Sequence, residues 1–432
     1  MTSLGRPVRD VAAAAPDPLA LPRLMPSHIG PGFDGHFQRW GQMPVGSPRL
    51  IVEVERAGLR GRGGAGFPTG AKLRAVAGSS ARRRVVVANG IEAEPVSGQD
   101  RALLTGAPHL VLDGVSVAAE TVGASEAVVC VSRAAPAAAQ AVARALDERL
   151  EAGADRVPIR LAVAPGRYVS GEESALVHWL NGGDAKPTYV PPRPFERGVK
   201  GQPTLINNVE TLAHLALVAR FGAGWFRALG TADHPGTTLV TLSGDVVRPG
   251  VYEFPIGVAL SEVLRSAGGS RGTARAVLAG GYAGAWLAPD SVPKARLDPE
   301  SLRRLGAVMG CAAVSVVGAG SCGLVESASV ARWMASQSAR QCGPCFRGLP
   351  AIARALDTLV AGDRGRRAEK QLRVWLDMVA GRGACHHPDG TVRFVRSTLA
   401  VFRDEIERHR RQGPCPSRPA LLPVPDSDGG WR

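Results

Sequence analysis

The stretch Gly58-Leu59-Arg60-Gly61-Arg62-Gly63-Gly64-Ala65-Gly66-Phe67-Pro68-Thr69-Gly70-Ala71-Lys72 decides how the rest of the chain is interpreted. Its glycines let backbone N–H groups turn toward a ligand where a Cβ atom would block the approach. Successive N–H groups that lead into a helix favour an anion, and Arg62 and Lys72 add positive charge. The stretch therefore predicts a loop that cradles a phosphate-bearing cofactor. The alternative is a mobile surface loop, which Phe67-Pro68-Thr69 disfavours because it is too specific for a linker.

The composition restricts the classes of protein to which the chain can belong. With 432 residues, it has room for two to four domains. The formal net charge is +14, but aromatic residues make up only 5% of the chain and do not alternate with basic ones, so nucleic acid is not the expected partner. Seven unevenly spread cysteines do not suggest a secreted disulfide framework. No apolar stretch reaches the length of a membrane span. We expect a cytoplasmic protein without direct membrane insertion, associated with a membrane only through partners.

The order of the predicted elements gives the fold class of the first half. Short β-branched runs alternate there with helical segments, which is typical of a parallel α/β sheet. The predicted strands are 84–88, 127–132 and 159–164, and the predicted helices between them are 100–122 and 137–150. Asn89-Gly90 indicates a turn after the first strand. Further along the chain, Asn208 is a plausible N-terminal cap of the helix that starts at this residue.

The pattern changes after Thr237. Several short strands with one helix at 259–266 predict a small α+β unit, and the last part carries apolar residues at helical spacing, which predicts an antiparallel bundle. The predicted strands are 238–244, 250–254, 276–278 and 314–317, and the predicted helices of the bundle are 324–340, 348–361, 366–380 and 391–410. The proline-rich tail from Gly413 is expected to be loose.

Two adjacent acids follow the third predicted strand of the sheet. Glu172 and Glu173 come directly after Gly171 and open a helix. Acidic residues suit the positive end of a helix dipole, so capping is one interpretation. Recognition of ribose hydroxyls or ring N–H groups is the other.

The cysteines of the bundle suggest a metal or cluster site. Cys342-Gly343-Pro344-Cys345 lies between two predicted helices, and Cys385 lies between the last two. A bundle brings such loops to one end, and converging thiolates suit an iron–sulfur cluster or zinc. A redox-active dithiol is the alternative. Further candidate ligands are His386, His387, Cys322 and Cys415, whereas Cys130 is expected in the core.

These features together resemble the flavoprotein, NADH-oxidising subunit of respiratory complex I and its relatives in NAD-reducing hydrogenases and formate dehydrogenases. The resemblance covers about residues 45–410. It is carried by the glycine loop 58–72 and by segments 89–101, 168–176 and 200–211. The segment 243–250 looks like part of the family's β-grasp (SLBB) domain, and Cys342, Cys345 and Cys385 fit its cluster bundle.

The resemblance implies an α/β fold with a Rossmann-like domain that holds FMN, a small β-grasp domain and a C-terminal helical bundle with an iron–sulfur site. The expected domains are an N-terminal extension at 1–47, the FMN/NADH-binding domain at 48–236, the β-grasp domain at 237–322, the bundle at 323–412 and a tail at 413–432.

The resemblance also implies the residues that bind FMN and NAD(H). The hydride is transferred by the flavin, so no side chain is expected to act as an acid or a base, and Glu92, Glu94 and Glu172 are positioning residues. The expected cofactor-binding residues are Gly61, Arg62, Gly63, Gly64, Phe67, Lys72, Asn89, Glu92, Glu94, Tyr168, Gly171, Glu172, Glu173, Asn207 and Asn208. Phe67 and Tyr168 are expected to offer flat surfaces for stacking. The expected metal ligands are Cys342, Cys345 and Cys385.

The chain departs from the family pattern at several positions. Ile91 stands where the family has Asp, and one polar flavin contact is lost. Ala75, Val190 and Arg193 replace residues that line the adenine side, which leaves NADPH or another donor open. Ala339 aligns with the first cysteine of the family's Cys-x-x-Cys-x-x-Cys motif. A 4Fe-4S cluster would need a fourth ligand from elsewhere, and a 3Fe-4S cluster or no cluster are the alternatives.

The expected function is that of an NADH dehydrogenase-type enzyme, which passes a hydride from NADH to FMN and single electrons through an iron–sulfur centre to a protein acceptor. The basic surface suits an acidic ferredoxin or ferredoxin-like subunit. One alternative is a divergent subunit that is reduced by ferredoxin. The other is a scaffold without cofactors, against which the intact set of glycines, acids and asparagines argues.

Overall fold

The computed structural model describes residues 16–25, 30–416, 419, 421–426 and 430–432. The first part of the described chain contains a parallel sheet of four strands in the order β3-β2-β1-β4. Its strands are β1 Val85–Gly90, β2 Glu126–Ser132, β3 Ile159–Ala164 and β4 Thr204–Asn208. The β1 run Val85-Val86-Val87-Ala88 is buried throughout, as expected for a strand covered by helices on both faces.

Eight α-helices accompany this sheet in the part of the chain that the structure describes. They are α1 Phe33–Trp40, α2 Leu50–Ala57, α3 Thr69–Ala77, α4 Gln99–Gly106, α5 Pro108–Val122, α6 Pro136–Glu151, α7 Glu173–Leu180 and α8 Val209–Arg227. The α/β fold class is thereby confirmed.

Three details of the first part differ from the sequence-based predictions. The predicted helix 100–122 is two helices, α4 and α5, which meet at 95° because Pro108 cannot continue the preceding helix. Asn89 and Gly90 end strand β1 and do not form a turn. Strand β4 was missed because Thr204-Leu205-Ile206 is too short a run to stand out after a proline-rich segment.

The bent helix pair also matters for membrane insertion. Among the described residues, no single helix combines the length and the apolar character that a membrane span requires, and only the pair α4–α5 meets these criteria when taken together. Helix α5 is buried along nearly its whole length inside the protein.

A buried ion network fixes the N-terminal helix to the first part. Asp113 of α5 accepts from His36 of α1 and from Arg149 of α6, each at 2.8 Å, and also from Arg220 of α8. Burial alone would raise the pKa of Asp113, but Arg220, His36 and Arg149 hold it well below its usual range. Helix α1 is therefore anchored to this part through His36, although no helical pattern was recognised there in the sequence.

The second part is a mixed sheet of five strands in the order β6-β5-β9-β7-β8. Strands β5 and β9 are parallel, and the other neighbours are antiparallel. The elements are β5 Thr237–Gly244, β6 Gly250–Pro255, α9 Leu260–Ser266, β7 Ala274–Ala279, β8 Ala285–Leu287, α10 Pro299–Arg304 and β9 Ala313–Gly318. The predicted small α+β unit is confirmed.

The third part is a helical bundle around a core that includes Leu356, Phe394 and Leu399. Its helices are α11 Gly323–Ser336, α12 Leu349–Val360, α13 Arg367–Val379, α14 His387–Val401 and α15 Arg403–Gln412. The predicted last helix, 391–410, is two helices that meet at Phe402, which is buried in the core.

The segment after α15 packs against the protein, so the expectation of a loose tail is wrong for its described residues. The main-chain N–H groups of Leu421 and Leu422 donate to the Glu326 carboxylate, each at 3.1 Å. Tyr282 donates its hydroxyl to the Pro423 carbonyl at 2.6 Å. Trp333 donates its indole N–H to the Pro425 carbonyl at 2.8 Å.

Candidate functional site

The site is organised by the point at which the strand order of the parallel sheet reverses. From β1 the chain proceeds to β2 and β3 on one side, whereas β4 lies on the other side of β1. Ligands of open α/β sheets bind in the crevice at the carboxyl ends of the strands on either side of such a point. In this sheet Asn89 of β1 lies opposite Asn208 of β4, and Ala88 lies opposite Asn207. Three of the predicted cofactor-binding residues therefore meet at this crevice.

The glycine loop between α2 and α3 lies against the same crevice. It closes on itself through hydrogen bonds from Gly61 N to Phe67 O and from Thr69 N to Leu59 O, each 2.9 Å long. The main-chain N–H of Arg62 donates to Thr211 Oγ1 at 2.8 Å, at the start of α8. A Cβ atom added to Gly63 would lie only 3.4 Å from Asn208 Cβ. The loop therefore approaches the crevice with main chain and no side chain.

The two cations of the loop have different surroundings. The guanidinium of Arg62 is buried and donates to the carbonyls of Thr237 at 3.2 Å and Pro235 at 3.4 Å. This differs from the expectation that Arg62 adds free charge for a phosphate, because its N–H groups are used inside the protein. Lys72 is only partly covered, and its Nζ contacts Glu173 and the Ile206 carbonyl.

The three asparagines are placed in different ways. Asn89 donates to the Gly171 carbonyl at 2.8 Å. Asn208 caps α8, as predicted, by accepting from Glu210 N at 2.9 Å, and it donates to Asp100 at 2.8 Å. Asn207 Nδ2 is buried without a hydrogen-bond partner among the described residues. An unpaired buried donor costs free energy, so its position indicates that a ligand atom completes the site.

Two of the predicted positioning acids are helix caps. Glu92 accepts from the main-chain N–H groups of Asp100 and Arg101 at the start of α4, each at 3.1 Å. Glu172 accepts from Ser174 N at 3.0 Å and Ala175 N at 3.1 Å at the start of α7. The capping interpretation of Glu172 therefore describes its main contacts. These caps hold both helices with their positive ends at the crevice.

Asp100 was not among the predicted site residues. It is buried beside Asn208, and burial and the nearby Glu92 raise its pKa well above the usual range. In the sequence Asp100 was visible only as the first residue of a predicted helix, and nothing there indicated that strand β4 would lie beside it.

Glu94 is the second buried group with an unsatisfied atom. Its Oε2 accepts from Tyr282 N at 3.0 Å and from the Tyr168 hydroxyl at 3.1 Å, whereas its Oε1 has no hydrogen-bond partner among the described residues. Burial raises the pKa of Glu94 to about 7. A carboxyl group with this pKa exists in both protonation states near neutral pH, so it can accept from a ligand or donate to it.

The two predicted stacking residues differ in exposure. The Phe67 side chain is 50% exposed and is free to meet a planar ring. Tyr168 is half-buried, and its ring centroid lies 5.4 Å from that of Trp333 and 5.3 Å from that of His387. Tyr168 therefore joins the sheet to the bundle, and Phe67 is the better stacking surface.

The donor set fits FMN. The loop offers main-chain N–H groups, Lys72 offers a cation for a phosphate, and Asn207 Nδ2 and Glu94 Oε1 are polar atoms that still need partners. A phosphate-bearing cofactor with polar ring edges would satisfy both kinds of group.

The three predicted metal ligands are neighbours near Glu172, but their sulfur atoms do not all lie within 4.8 Å of one another, as those of a single-ion site would. Cys342 and Cys345 are in hydrogen-bonding contact across a π-helical turn at Pro344–Gly348, and Cys385 lies within electrostatic range of both Cys345 and Cys342. Burial, with a contribution from Cys342, raises the pKa of Cys345. Cys385 is also close enough to Glu172 for that carboxylate to raise its pKa. Three thiols fit an iron–sulfur cluster with three protein ligands, and they adjoin the capped end of α7.

A cavity of about 280 Å³ lies between the glycine loop and the second sheet. Its walls include Gly61, Arg62 and Gly64, which are predicted cofactor-binding residues, together with Arg303 and Gly310. A Cβ atom added to Gly64 would lie at van der Waals distance, 3.5 Å, from the carbonyl carbon and oxygen of Gly310. The glycine loop therefore lines this cavity as well as approaching the crevice of the parallel sheet.

Family models match three regions of the chain. The Nuo51 FMN-binding domain matches residues 54–217, the SLBB domain matches 239–282, and the iron–sulfur binding region of NADH-ubiquinone oxidoreductase F matches 312–409. These matches confirm the predicted FMN, SLBB and iron–sulfur features of the chain.

Individual relatives of the chain point to the same family as the family models. The F 2 subunit of the NADH-quinone oxidoreductase of Rhizobium meliloti is 32% identical over 86% of this chain and 91% of its own length. The HndC subunit of the NADP-reducing hydrogenase of Solidesulfovibrio fructosivorans is 32% identical over 86% of this chain and 78% of its own length. The crystal structure of an NAD⁺-reducing [NiFe]-hydrogenase in the H₂-reduced state matches with a TM-score of 0.77 and 34% identity. That match covers 86% of this chain but only 63% of the hydrogenase chain.

Proposed function

Because the chain belongs to the family of the FMN-binding, NADH-oxidising F subunits of NADH-quinone oxidoreductases, we propose that it oxidises NADH and delivers the electrons singly to a partner protein. The flavin supplies the central chemistry when bound, because it accepts a hydride and releases electrons one at a time. The protein itself would bind the flavin and the nucleotide, orient them toward each other and exclude water from between them.

The residues at the crevice would divide the binding between them. The main chain of Gly61, Gly63 and Gly64, with Lys72, would hold the phosphate. Asn89, Asn207 and Asn208 would meet polar atoms of the flavin. The resemblance also assigns cofactor contacts to Glu92, Gly171 and Glu172. The two acids would support cofactor binding by fixing the starts of α4 and α7 at the crevice.

The nucleotide would lie on the exposed side of the flavin. The exposed ring of Phe67 offers a stacking surface, and Glu173 and Glu94 offer carboxyl oxygens to ribose hydroxyls or to a carboxamide. Glu94 can change protonation state near neutral pH without a large cost. These groups would orient the nicotinamide toward the flavin, because transfer between two bound groups requires that they be held close together and aligned.

The electrons would leave through the thiol site. Cys342, Cys345 and Cys385 would hold the cluster, and the proximity of Cys385 to Glu172 supports a position of the cluster near the start of α7. The net charge of +14 supports an acidic acceptor, such as a ferredoxin or a ferredoxin-like subunit, because opposite charge steers association. We further propose that the protein acts in the cytoplasm and reaches a membrane, where it does so, through partner subunits.

The observation that carries the proposal is the pair of unsatisfied buried atoms, Asn207 Nδ2 and Glu94 Oε1, beside an intact glycine loop. The first test is the absorption spectrum of anaerobically purified protein. We expect flavin bands that bleach when NADH is added. Flavin that ignores NADH and NADPH but responds to reduced ferredoxin would favour the ferredoxin-linked alternative, and a colourless protein would favour the scaffold.

A substitution makes this test specific to the crevice. Lys72→Met removes the cation that contacts Glu173 and Ile206 O and should weaken flavin retention by roughly tenfold or more, or about 1.4 kcal/mol. Lys200→Met is the matched control, because Lys200 pairs with Glu126 at 2.7 Å on the surface. Equal flavin content in the two variants would place the cofactor elsewhere.

A further inference from the structure

A second group of metal-ligand side chains occurs in the helical bundle. The donor atoms of Cys322, His409 and Cys415 all lie within 4.8 Å of one another. Cys322 directly precedes α11, His409 lies in the last turn of α15, and Cys415 lies in the segment after α15. The fold therefore brings together three donors that are up to 93 residues apart in the sequence.

His409 is oriented as a ligand. Its Nδ1 lies 2.8 Å from the Val360 carbonyl oxygen, so Nδ1 carries the hydrogen and donates it. Its Nε2 therefore presents a lone pair, and this atom lies 3.5 Å from Cys322 Sγ. Histidines that bind metals typically donate their other ring N–H to a carbonyl or a carboxylate, which fixes the tautomer in this way. The side chain is fully buried.

The separations suit one tetrahedral ion. Zinc binds sulfur at about 2.3 Å and nitrogen at about 2.0–2.1 Å, so tetrahedral angles place a sulfur and a nitrogen ligand roughly 3.6 Å apart. The Cys322 Sγ to His409 Nε2 distance of 3.5 Å is close to this value. A disulfide between Cys322 and Cys415 would give the imidazole no role, and both cysteines are free in the structure.

The charges around the group also balance. Glu405 Oε2 lies 3.1 Å from Cys322 Sγ and accepts from Leu324 N at 2.9 Å. Its Oε1 lies 2.9 Å from Arg275. A divalent ion with two thiolates and a neutral imidazole has no net charge, and the Glu405–Arg275 pair has none either, so binding would leave no uncompensated charge in a buried place.

We propose that Cys322, His409 and Cys415 bind a single zinc ion, with Glu405 or a water molecule at the fourth position. This site is distinct from the cluster site, because Cys342, Cys345 and Cys385 form their own group. The zinc ion would fix the start of the segment after α15 to the bundle. That segment continues to Pro423 and Pro425, which accept from Tyr282 and Trp333. Because Tyr282 also binds Glu94, the zinc ion would indirectly support the wall of the crevice.

The test is the metal content of the full-length protein after gel filtration. We expect about one zinc per chain in addition to any iron, and we expect Cys415→Ser and His409→Gln to reduce it to near zero. Cys342→Ser with Cys345→Ser is the control that should remove iron and leave zinc. Because Cys415 is only partly buried and lies outside the helices, Cys415→Ser should remain folded.

A second measurement tests the proposal on the wild-type protein, so that the result does not depend on whether the variants fold. Wild-type protein stripped of metal with a chelator should take up Co²⁺ and show the thiolate-to-cobalt absorption of a tetrahedral site, and Zn²⁺ should abolish that absorption. Zinc absent from the wild type together with no cobalt spectrum would overturn the proposal, and so would a Cys322–Cys415 disulfide found by mass spectrometry. Neither readout depends on flavin or NADH, so a failure here is separate from a failure of the proposed activity.

Discussion

The crevice of the parallel sheet and the thiol site of the bundle differ in how far each keeps its family pattern. At the crevice, the glycine loop, Lys72 and the asparagines are present although Ile91 departs from the family pattern, and Asn207 Nδ2 and Glu94 Oε1 have no hydrogen-bond partner among the described residues. In the bundle, Ala339 replaces one thiol of the family motif. The two places therefore depart from the family pattern through separate sets of residues, so one set can be changed while the other is kept.

The largest effect is expected from removing the thiols. Cys342→Ser with Cys345→Ser should lower the iron content from the full complement of a cluster to background, because one remaining thiolate cannot hold it. The flavin content should stay unchanged if the two sites are independent. Iron analysis and the flavin spectrum of the same sample measure both.

Two further variants sharpen this result. Cys130→Ala changes a cysteine that is buried in strand β2 and should leave iron unchanged. Ala339→Cys supplies the thiol that the family has at this position and should make the cluster more resistant to air. Loss of flavin in the double variant would show that the crevice depends on the cluster.

The next effect concerns the glycine loop. Gly66→Ala and Gly153→Ala are matched, because the φ angles are +63° and +60° and an added Cβ atom meets nothing within 4 Å at either position. Each variant should lose about 1–2 kcal/mol of stability from the left-handed backbone conformation. Only Gly66→Ala should also lose flavin, because only that glycine shapes the cofactor loop. Thermal unfolding and flavin content distinguish these effects, and equal flavin content would contradict the role of the loop.

A smaller effect, which depends on pH, is expected at Glu94. Burial raises its pKa from the ordinary value of 4.5 to about 7, so between these values the folded protein binds more protons than the unfolded chain. Stability should therefore fall as the pH rises through this range. Glu94→Gln removes the ionisation and should gain about 1–3 kcal/mol relative to wild type above pH 7.

The control for this prediction compares wild type with Glu94→Gln at acidic pH. Near pH 4 the carboxyl group is protonated in both states, so the difference between wild type and Glu94→Gln should nearly vanish. Denaturant unfolding of flavin-free protein at several pH values gives the comparison. A difference that does not change with pH would mean that Glu94 is not a protonated buried group.

The smallest effect is expected at the segment after α15. Tyr282→Phe removes the hydrogen bond to the Pro423 carbonyl and should cost about 1 kcal/mol. Tyr252→Phe is a control at the surface, where the hydroxyl donates to the Arg248 carbonyl. Faster proteolysis of the segment in Tyr282→Phe than in the control is the measurement, and equal rates would contradict its anchoring by Tyr282.

The sequence predicted those parts of the fold that depend on local patterns. The run Val85-Val86-Val87-Ala88, the cap at Asn208 and the helices of the bundle follow from residues close together in the chain. Strand β4, the partner of β1, was not visible, because its pairing is set by a distant segment. Helix α1 was missed for the same reason, since its place depends on the contact between His36 and Asp113.

The candidate site shows the same division. Its residue types were predicted from motifs and from the family resemblance, and the site assignments themselves stay predictions. The directions of the side chains could not be predicted. Arg62 turns into the protein because Pro235 and Thr237 offer carbonyls there. Cys322 and Cys415 lie beside His409 because the start of α11 and the segment after α15 both pack near the end of α15, which the spacing of these residues in the sequence does not encode.

The narrow gap between Gly64 and Gly310 limits what the cofactor loop can carry at this point. A Cβ atom added to Gly64 would already lie at van der Waals distance, 3.5 Å, from the Gly310 carbonyl. A larger side chain there would have to push the loop around Gly310 away and so reshape the cavity that both glycines line.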